Sequence, residues 1–209
     1  MPDASEITVG GLVPMTTVDY PDALSAVVFC QGCPLRCRYC HNADLLPRRS
    51  TETIAWQEIL AFLESRRGLL DAVVFSGGEP TQQLGLADAI GTVRGMGFRI
   101  GLHTAGIYPK RLKRLLPLLD WVGLDIKAMP EDYPSLTGMA GSGSLAWESA
   151  RLLAESGIPH ELRTTLHPEF IPPEEQPRLL SAIQSLGDVH HVWQTCNLSH
   201  CLDMTLRHV

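Results

Sequence analysis

One loop near the start of the chain carries the clearest chemical signal: Cys30-Gln31-Gly32-Cys33-Pro34-Leu35-Arg36-Cys37-Arg38-Tyr39-Cys40-His41-Asn42. Within it, Cys33, Cys37 and Cys40 follow a C-x3-C-x2-C spacing, which offers three thiolates to the corners of a cubane iron–sulfur cluster. Iron–sulfur electron carriers close their clusters with four thiolates, so a three-thiolate loop leaves one iron open to a substrate or cofactor. The open iron indicates catalysis.

Four further motifs accompany the cysteine loop: Met15-Thr-Thr-Val-Asp-Tyr-Pro-Asp22, the His-Asn pair that ends at Asn42, Ser76-Gly-Gly-Glu-Pro80, and Gly123-Leu-Asp-Ile-Lys127. With these motifs the chain resembles the radical S-adenosylmethionine (SAM) superfamily, and within it the glycyl-radical activating enzymes. It is most similar to activating proteins of anaerobic ribonucleoside-triphosphate reductase. The resemblance extends from about Gly10 to the 160s and leaves the C-terminal tail without a match.

The resemblance implies a mechanism. The loop would hold a [4Fe–4S] cluster whose open iron binds SAM, and an electron from a flavodoxin- or ferredoxin-type donor would cleave SAM to a 5′-deoxyadenosyl radical. That radical would take a hydrogen atom from a glycine of a large glycyl-radical enzyme. Two alternatives stay open: an enzyme acting on a small molecule, similar to 7-carboxy-7-deazaguanine synthase, and a non-catalytic iron–sulfur electron carrier.

Length and composition limit the architecture. With 209 residues, 44% of them hydrophobic, we expect one domain over 1–209, with a core at about 24–195 and an atypical tail at 196–209. The net charge of −6 argues against a nucleic-acid partner. Because no signal peptide or membrane-spanning run is evident, we expect a cytoplasmic protein. Six cysteines in such a chain favour metal binding or redox chemistry over disulfides.

Short β-branched runs alternate with amphipathic stretches, which predicts an α/β fold with a mostly parallel sheet. Strands are predicted at Ala26–Cys30, Ala72–Ser76, Phe98–His103, Trp121–Lys127, Glu161–His167 and Val189–Gln194. Helices are predicted at Thr53–Arg67, Leu84–Met96, Pro109–Leu119, Leu145–Ser156 and Glu174–Leu186, and a flexible loop at Gly138–Ser144. An open doubly wound sheet fits this alternation, but the resemblance implies a partial (β/α)6 barrel similar to a TIM barrel. The cysteine loop, Gly77–Glu79 and Thr104–Gly106 each follow a predicted strand, and Asp125 and Lys127 end one, so one mouth should collect them.

The resemblance implies that residues of the cysteine loop and of the Gly-Gly-Glu-Pro motif contact SAM. It places Tyr39 near the adenine, lets the backbone of Gly77 and Gly78 approach the ligand closely, and directs Glu79 to the SAM ammonium group. The alternatives are an ordinary loop or core aromatic for Tyr39, and an ordinary strand-to-helix turn for Gly-Gly-Glu-Pro.

Charged residues on later strands complete the expected site. Asp125 and Lys127 stand two apart, so their side chains should share one face; the resemblance implies contacts with SAM, and a structural ion pair is the alternative. Lys127 would offer its charge to the methionine carboxylate of SAM, and Arg163 either binds that carboxylate in a bidentate manner or is a surface arginine. His103 stands where relatives often have an acid, and it either replaces that contact or is a neutral histidine satisfied by its neighbours.

The other cysteines allow further interpretations. With Cys30 the loop reads C-x2-C-x3-C-x2-C, which would suit a four-sulfur zinc site, although structural zinc sites usually separate their pairs by many more residues. A small buried residue is the simpler interpretation of Cys30. The tail stretch Cys196-Asn-Leu-Ser-His-Cys201 offers three ligands, too few for a closed metal site, which favours incidental cysteines.

Overall fold

Seven strands form a single sheet in sequential order in the computed structural model, which describes residues 7–208 except for the side chains of residues 200, 207 and 208. The strands are β1 (Val9–Thr16), β2 (Ser25–Cys30), β3 (Ala72–Gly77), β4 (Arg99–Thr104), β5 (Trp121–Asp125), β6 (His160–Leu166) and β7 (His191–Thr195). Strands β2 to β7 are parallel, and β1 pairs antiparallel with β2. All six predicted strands are confirmed to within a few residues.

The described part of the chain has six α-helices. They are α1 (Trp56–Glu64), α2 (Leu86–Gly95), α3 (Pro109–Leu115), α4 (Tyr133–Thr137), α5 (Ser142–Ala154) and α6 (Gln176–Gln184). Apolar residues at helical spacing produce them: α1, for example, buries Trp56, Ile59 and Leu63 on one face. Five helices were predicted, and α4 was not. No helix in the described range is long and apolar enough to cross a membrane.

The predicted flexible loop at Gly138–Ser144 is wrong. Gly138 and Gly141, with φ of 69° and 75°, separate α4 from α5 in a tight junction, and α5 already begins at Ser142, which is fully buried. A Cβ atom on Gly143 would lie 2.2 Å from the carbonyl oxygen of Pro130, so this helix start needs glycine to pack. The glycines therefore mark a packed junction rather than flexibility.

Sequential strand order settles the architecture. A doubly wound sheet reverses its strand order part-way, whereas the order here runs from β1 to β7 without reversal. Right-handed crossovers in one direction place the helices on one face, as in a barrel. The sheet is therefore of the partial barrel type, open between its edge strands β1 and β7.

The two faces of the sheet carry different chemistry because side chains alternate along a strand. On the helix-facing side lie Val28, Phe75, Leu102 and other apolar residues, all fully buried in the main core. Their neighbours in sequence point to the inner face, which is apolar at the amino ends of the strands and polar at the carboxyl ends. The fold thus directs the polar residues of successive strands into one space.

Candidate active site

A cavity of about 420 Å³ lies at the carboxyl ends of the parallel strands. Of the predicted site residues, all but one line it: Cys33, Cys37, Tyr39, Cys40, Gly77, Gly78, His103, Asp125, Lys127 and Arg163. The exception is Glu79. The prediction that the motifs share one mouth is therefore confirmed.

The cysteine loop is held from outside by short elements that follow it in sequence. Its backbone donates from Arg36 to the Thr137 carbonyl at 2.8 Å and from Arg38 to the Leu136 carbonyl at 3.1 Å. These acceptors lie at the end of α4, the helix that was not predicted. The Arg36 guanidinium also donates to the Cys33 carbonyl at 2.7 Å. The loop geometry is thus fixed by the protein itself.

Three charged side chains, Asp125, Lys127 and Arg163, form a triad on the cavity wall, with Lys127 buried and Asp125 partly exposed. The carboxylate of Asp125 lies 3.1 Å from Lys127 Nζ and 3.3 Å from Arg163 Nη2. Burial alone would raise the pKa of Asp125, but the two cations outweigh it and hold that pKa below its ordinary value. Within this triad one carboxylate faces two cations, a local excess of positive charge that suits an anionic ligand group.

Tyr39 is buried beside this triad. Its ring lies 5.7 Å from Lys127 Nζ and makes an edge contact with Phe170 at 6.1 Å between centroids. Within the described residues, the Tyr39 hydroxyl and Arg163 Nε are buried without a hydrogen-bond partner. Such atoms are costly unless something polar meets them, and both residues line the cavity, so a polar ligand there would satisfy them.

His103 lines the cavity, but its ring nitrogens contact other groups of the protein. Its Nε2 lies 3.0 Å from the Asp19 carbonyl, to which it donates, and Ser76 Oγ lies 3.5 Å from Nδ1. Burial, followed by the charge of Arg163, lowers the pKa of His103 to about 4. The imidazole is therefore neutral at pH 7, and its contact with SAM stays a prediction.

Glu79 lies behind the cavity wall, fully buried. Its carboxylate accepts hydrogen bonds from the Thr81 hydroxyl, from Thr81 N at 3.0 Å, from Thr104 Oγ1 at 2.7 Å and from Ala105 N at 2.8 Å. Burial nevertheless raises its pKa above the ordinary value. The carboxylate fastens the end of β4 to the turn after β3, and its predicted contact with the ammonium group stays a prediction.

Gly77 and Gly78 are required by backbone packing as well. A Cβ atom on Gly77 would lie 2.4 Å from Cys30 N, and one on Gly78 would lie 2.4 Å from the Gly32 carbonyl oxygen. Two backbone hydrogen bonds of 2.9 Å join the same segments, from Gly78 to Cys30 and from Glu79 to Gly32. The glycines therefore let the turn after β3 lie directly against the start of the cysteine loop.

A family model described as the Radical SAM superfamily matches residues 27–192. The chain belongs to the radical SAM superfamily. Members of this superfamily use a [4Fe–4S] cluster and SAM, and they are enzymes. The match covers the sheet from β2 to β7 and every predicted site residue, and it favours an enzyme over the electron carrier.

Relatives of this radical SAM enzyme include activating enzymes. A Methanocaldococcus jannaschii protein named as a glycyl-radical enzyme activating enzyme is 30% identical over 175 residues, covering 80% of this chain and 71% of that protein. The pyruvate formate-lyase-activating enzyme of Streptococcus mutans is 34% identical over 179 residues, covering 77% of this chain and 66% of that enzyme. Streptococcus suis SuiB bound to precursor peptide SuiA superposes with a TM-score of 0.66 at 15% identity, over 82% of this chain and 39% of SuiB, which shows the shared fold.

The cavity of the radical SAM chain fits both cofactors. Its three loop cysteines provide the soft sulfur ligands that iron–sulfur clusters use. The positive excess beside Asp125 fits an amino-acid carboxylate, and the unpartnered Tyr39 hydroxyl and Arg163 Nε fit a polar ligand. Burial raises the pKa of Cys33 to about 12, so ligation of iron there must displace a proton.

The zinc interpretation of the loop is not supported. Cys30 is fully buried in the helix-facing core, as expected for a small buried residue, and it does not line the cavity. A single tetrahedral ion holds its sulfurs about 3.8 Å apart, given Zn–S bonds of about 2.3 Å. Among the described residues, the loop cysteines do not form a group whose ligand atoms all lie within 4.8 Å of one another.

Several cavity residues were missed by sequence reasoning. Asp19 and Ser76 lie inside two of the motifs but were given no role, and Thr104, Thr165 and Gln194 also line the cavity. The alternation of side chains along a strand could have identified two of them. Thr165 lies two residues after Arg163 on β6, and Ser76 lies on the inner face of β3. No motif of the sequence distinguishes Gln194 from an ordinary strand residue.

Proposed function

We propose that this radical SAM enzyme activates a glycyl-radical enzyme by removing a hydrogen atom from its glycine. Similarity to two activating enzymes over more than three quarters of the chain, with the cavity residues in place, carries the proposal. The finer proposal, based on the motif resemblance, is that the partner is anaerobic ribonucleoside-triphosphate reductase and the electron donor a flavodoxin or ferredoxin. The net negative charge of the chain argues against a nucleic-acid partner.

The chain's own residues divide the work as follows. Cys33, Cys37 and Cys40 hold the cluster, Lys127 and Arg163 bind the methionine carboxylate of SAM, and Tyr39 packs against the adenosine. When bound and reduced, the cluster would supply the one-electron chemistry that turns SAM into a hydrogen-abstracting radical, with a glycine Cα of the partner as the hydrogen donor.

A partner residue can reach the site because the barrel is incomplete. The sheet ends at two unpaired edges, β1 and β7, instead of closing on itself. Gln194 and Thr165 line the cavity near the β7 edge, and Asp19 lines it near the β1 edge. We propose that the glycine loop of the partner enters between these edges.

The test begins with anaerobic reconstitution with iron and sulfide, followed by reduction and measurement of 5′-deoxyadenosine formed from SAM. We expect product from the native chain and none from a variant with Cys33→Ala, Cys37→Ala and Cys40→Ala. Purified anaerobic ribonucleoside-triphosphate reductase, labelled with α-deuterated glycine, is then added. Deuterium should enter 5′-deoxyadenosine, and electron paramagnetic resonance should show a glycyl radical on the reductase.

Other outcomes would distinguish a wrong partner from a wrong reaction class and from the absence of enzymatic function. A glycyl radical on pyruvate formate-lyase but not on the reductase would change the partner and keep the reaction class. SAM cleavage that leaves every glycyl-radical enzyme tested without a radical would contradict activation and favour the small-molecule alternative. A stable, reducible cluster that neither binds nor cleaves SAM would overturn the enzymatic function.

A further inference from the structure

We propose that His41, Cys196 and Cys201 form a second metal site, which binds one Zn²⁺ and fastens the C-terminal segment to the cysteine loop. One ligand atom from each residue lies within 4.8 Å of the other two. The site is separate from the three cluster cysteines and is not used in the proposed reaction. Sequence reasoning paired the tail cysteines with the histidine of the tail itself, whereas the structure brings His41 from the other end of the chain.

The distances suit a single tetrahedral ion. The sulfurs of Cys196 and Cys201 lie 3.8 Å apart, which matches the separation of about 3.8 Å that two Zn–S bonds of about 2.3 Å require at a tetrahedral angle. A ring nitrogen of His41 supplies the third ligand. His41 is exposed whereas both cysteines are buried, so water can take the fourth position, as in zinc sites with three protein ligands.

The surroundings already orient these ligands. His41 Nε2 lies 2.8 Å from the Asn197 carbonyl, and Asn197 begins the turn that carries both cysteines. Ring nitrogens of metal-binding histidines are commonly oriented by such carbonyl contacts. The Asn197 side chain accepts from Ser199 N at 3.1 Å and so shapes the short helical turn between the cysteines.

The proposed ion lies where the tail meets the cluster loop. Leu202 N donates to the Cys40 carbonyl at 3.0 Å, and Asp203 N donates to the Arg38 carbonyl at 2.8 Å. The carboxylate of Asp203 also pairs with Arg38 Nε at 2.8 Å. An ion shared by His41 and the tail cysteines would join the two segments beside these contacts, so its proposed role is to hold the tail against the cluster loop.

The metal content of tag-free protein tests the proposal. After anaerobic reconstitution and gel filtration, the native chain should contain about one zinc besides its cluster iron, whereas the double variant Cys196→Ser with Cys201→Ser should lose the zinc and keep the iron. His41→Gln, at an exposed position, should weaken zinc binding at least about 100-fold, above the 10–100-fold typical of outer contacts. Cys30→Ser is the matched control, since it removes a thiol outside both sites.

Cobalt and amide exchange provide independent measurements. In the variant lacking the three cluster cysteines, Co²⁺ should give thiolate-to-cobalt charge-transfer bands that disappear in the additional Cys196→Ser and Cys201→Ser variant. Zinc should also slow hydrogen exchange at the amides of Leu202 and Asp203. Zinc retained equally by the double variant, or iron in its place, would overturn the proposal. So would a tail that binds neither Zn²⁺ nor Co²⁺ but forms a 196–201 disulfide on oxidation.

Discussion

Among individual side chains, Glu79 ties two loops of the site together. We expect Glu79→Gln to weaken SAM binding while the cluster is retained, because Oε1 accepts from Thr104 Oγ1 and Oε2 from Ala105 N, and the amide nitrogen that replaces one of these oxygens cannot accept. Leaving a buried donor without its acceptor costs about 1–3 kcal/mol, so the free energy of unfolding should fall by that amount. Urea unfolding and SAM titration of the cluster-loaded protein measure both effects.

Glu174→Gln is the control for this change. Glu174 is exposed, so the free energy of unfolding should change by less than about 0.5 kcal/mol. Loss of the cluster in Glu79→Gln would contradict the separation of roles between the cysteine loop and the turn after β3.

Lys127 supplies the second prediction for a side chain. Lys127→Met removes a cation that faces the proposed carboxylate, and a hydrogen bond to a charged group is worth about 1.5–3 kcal/mol. The Kd for SAM should therefore rise about 10–100-fold while cluster absorbance stays. Lys113→Met, on the exposed face of α3, should leave both unchanged. Unaltered SAM affinity in Lys127→Met would make the Asp125 pair purely structural.

We expect His103 to make the free energy of unfolding depend on pH. Its pKa of about 4 in the folded chain lies below the ordinary 6.5, so the unfolded chain binds more protons between these values and stability falls as the pH drops through that window. From pH 7 to pH 5 this loss amounts to about 2 kcal/mol, at 1.36 kcal/mol per pKa unit. His103→Gln should remove that part of the slope in urea unfolding of cluster-free protein. Parallel pH profiles for native and variant chains would contradict it.

At the scale of strands and helices, the packing of the turn after β3 against the cysteine loop can be tested with two glycine substitutions, one in this contact and one outside it. Gly78→Ala would place a Cβ 2.4 Å from the Gly32 carbonyl, so the loops must separate and cluster yield should fall sharply. Gly91 lies on the exposed face of α2, where a Cβ would have nothing within 4 Å, so Gly91→Ala should raise the free energy of unfolding by about 0.5–1 kcal/mol. Iron content and urea unfolding measure the pair. Normal iron content in Gly78→Ala would show that this contact is not needed.

The elements that sequence reasoning missed share a physical cause. The parallel strands are buried on both faces and appear as runs such as Ala72–Ser76, which are easily recognised. Strand β1 is an edge with glycines, a proline and two register shifts, and much of it is exposed. Helix α4 has five residues, shorter than the periodic pattern that predicts a helix. Both depend on contacts with distant segments that local sequence does not contain.

Across the chain as a whole, the position of the cavity could be predicted because the motifs lie at or just after the carboxyl ends of strands. Parallel strands bring these ends together. The sequence did not indicate what lies behind the wall. Glu79 is one example, since its acceptor role depends on Thr104 and Ala105 from the next strand. His41 with Cys201 is another, because the two residues are brought together only by the course of the tail.

The tail also completes a second apolar core around the cluster loop. Leu206 is fully buried there with Leu35, Ile107 and Leu136, so residues from four separate segments pack together. Leu206→Ala should lower the free energy of unfolding by about 2–5 kcal/mol, as for other buried leucines. It should also speed loss of cluster absorbance in air, because the packing that shields the loop is lost.

Met204→Ala provides the comparison on the same segment. Met204 is 67% exposed, so its removal should change the free energy of unfolding by less than about 0.5 kcal/mol and leave the rate of cluster loss as in the native chain. Equal rates of cluster loss in the Leu206 and Met204 variants would show that the tail does not shield the cluster. A faster rate in Leu206→Ala alone would make the C-terminal segment part of the wall that keeps the cluster from oxygen.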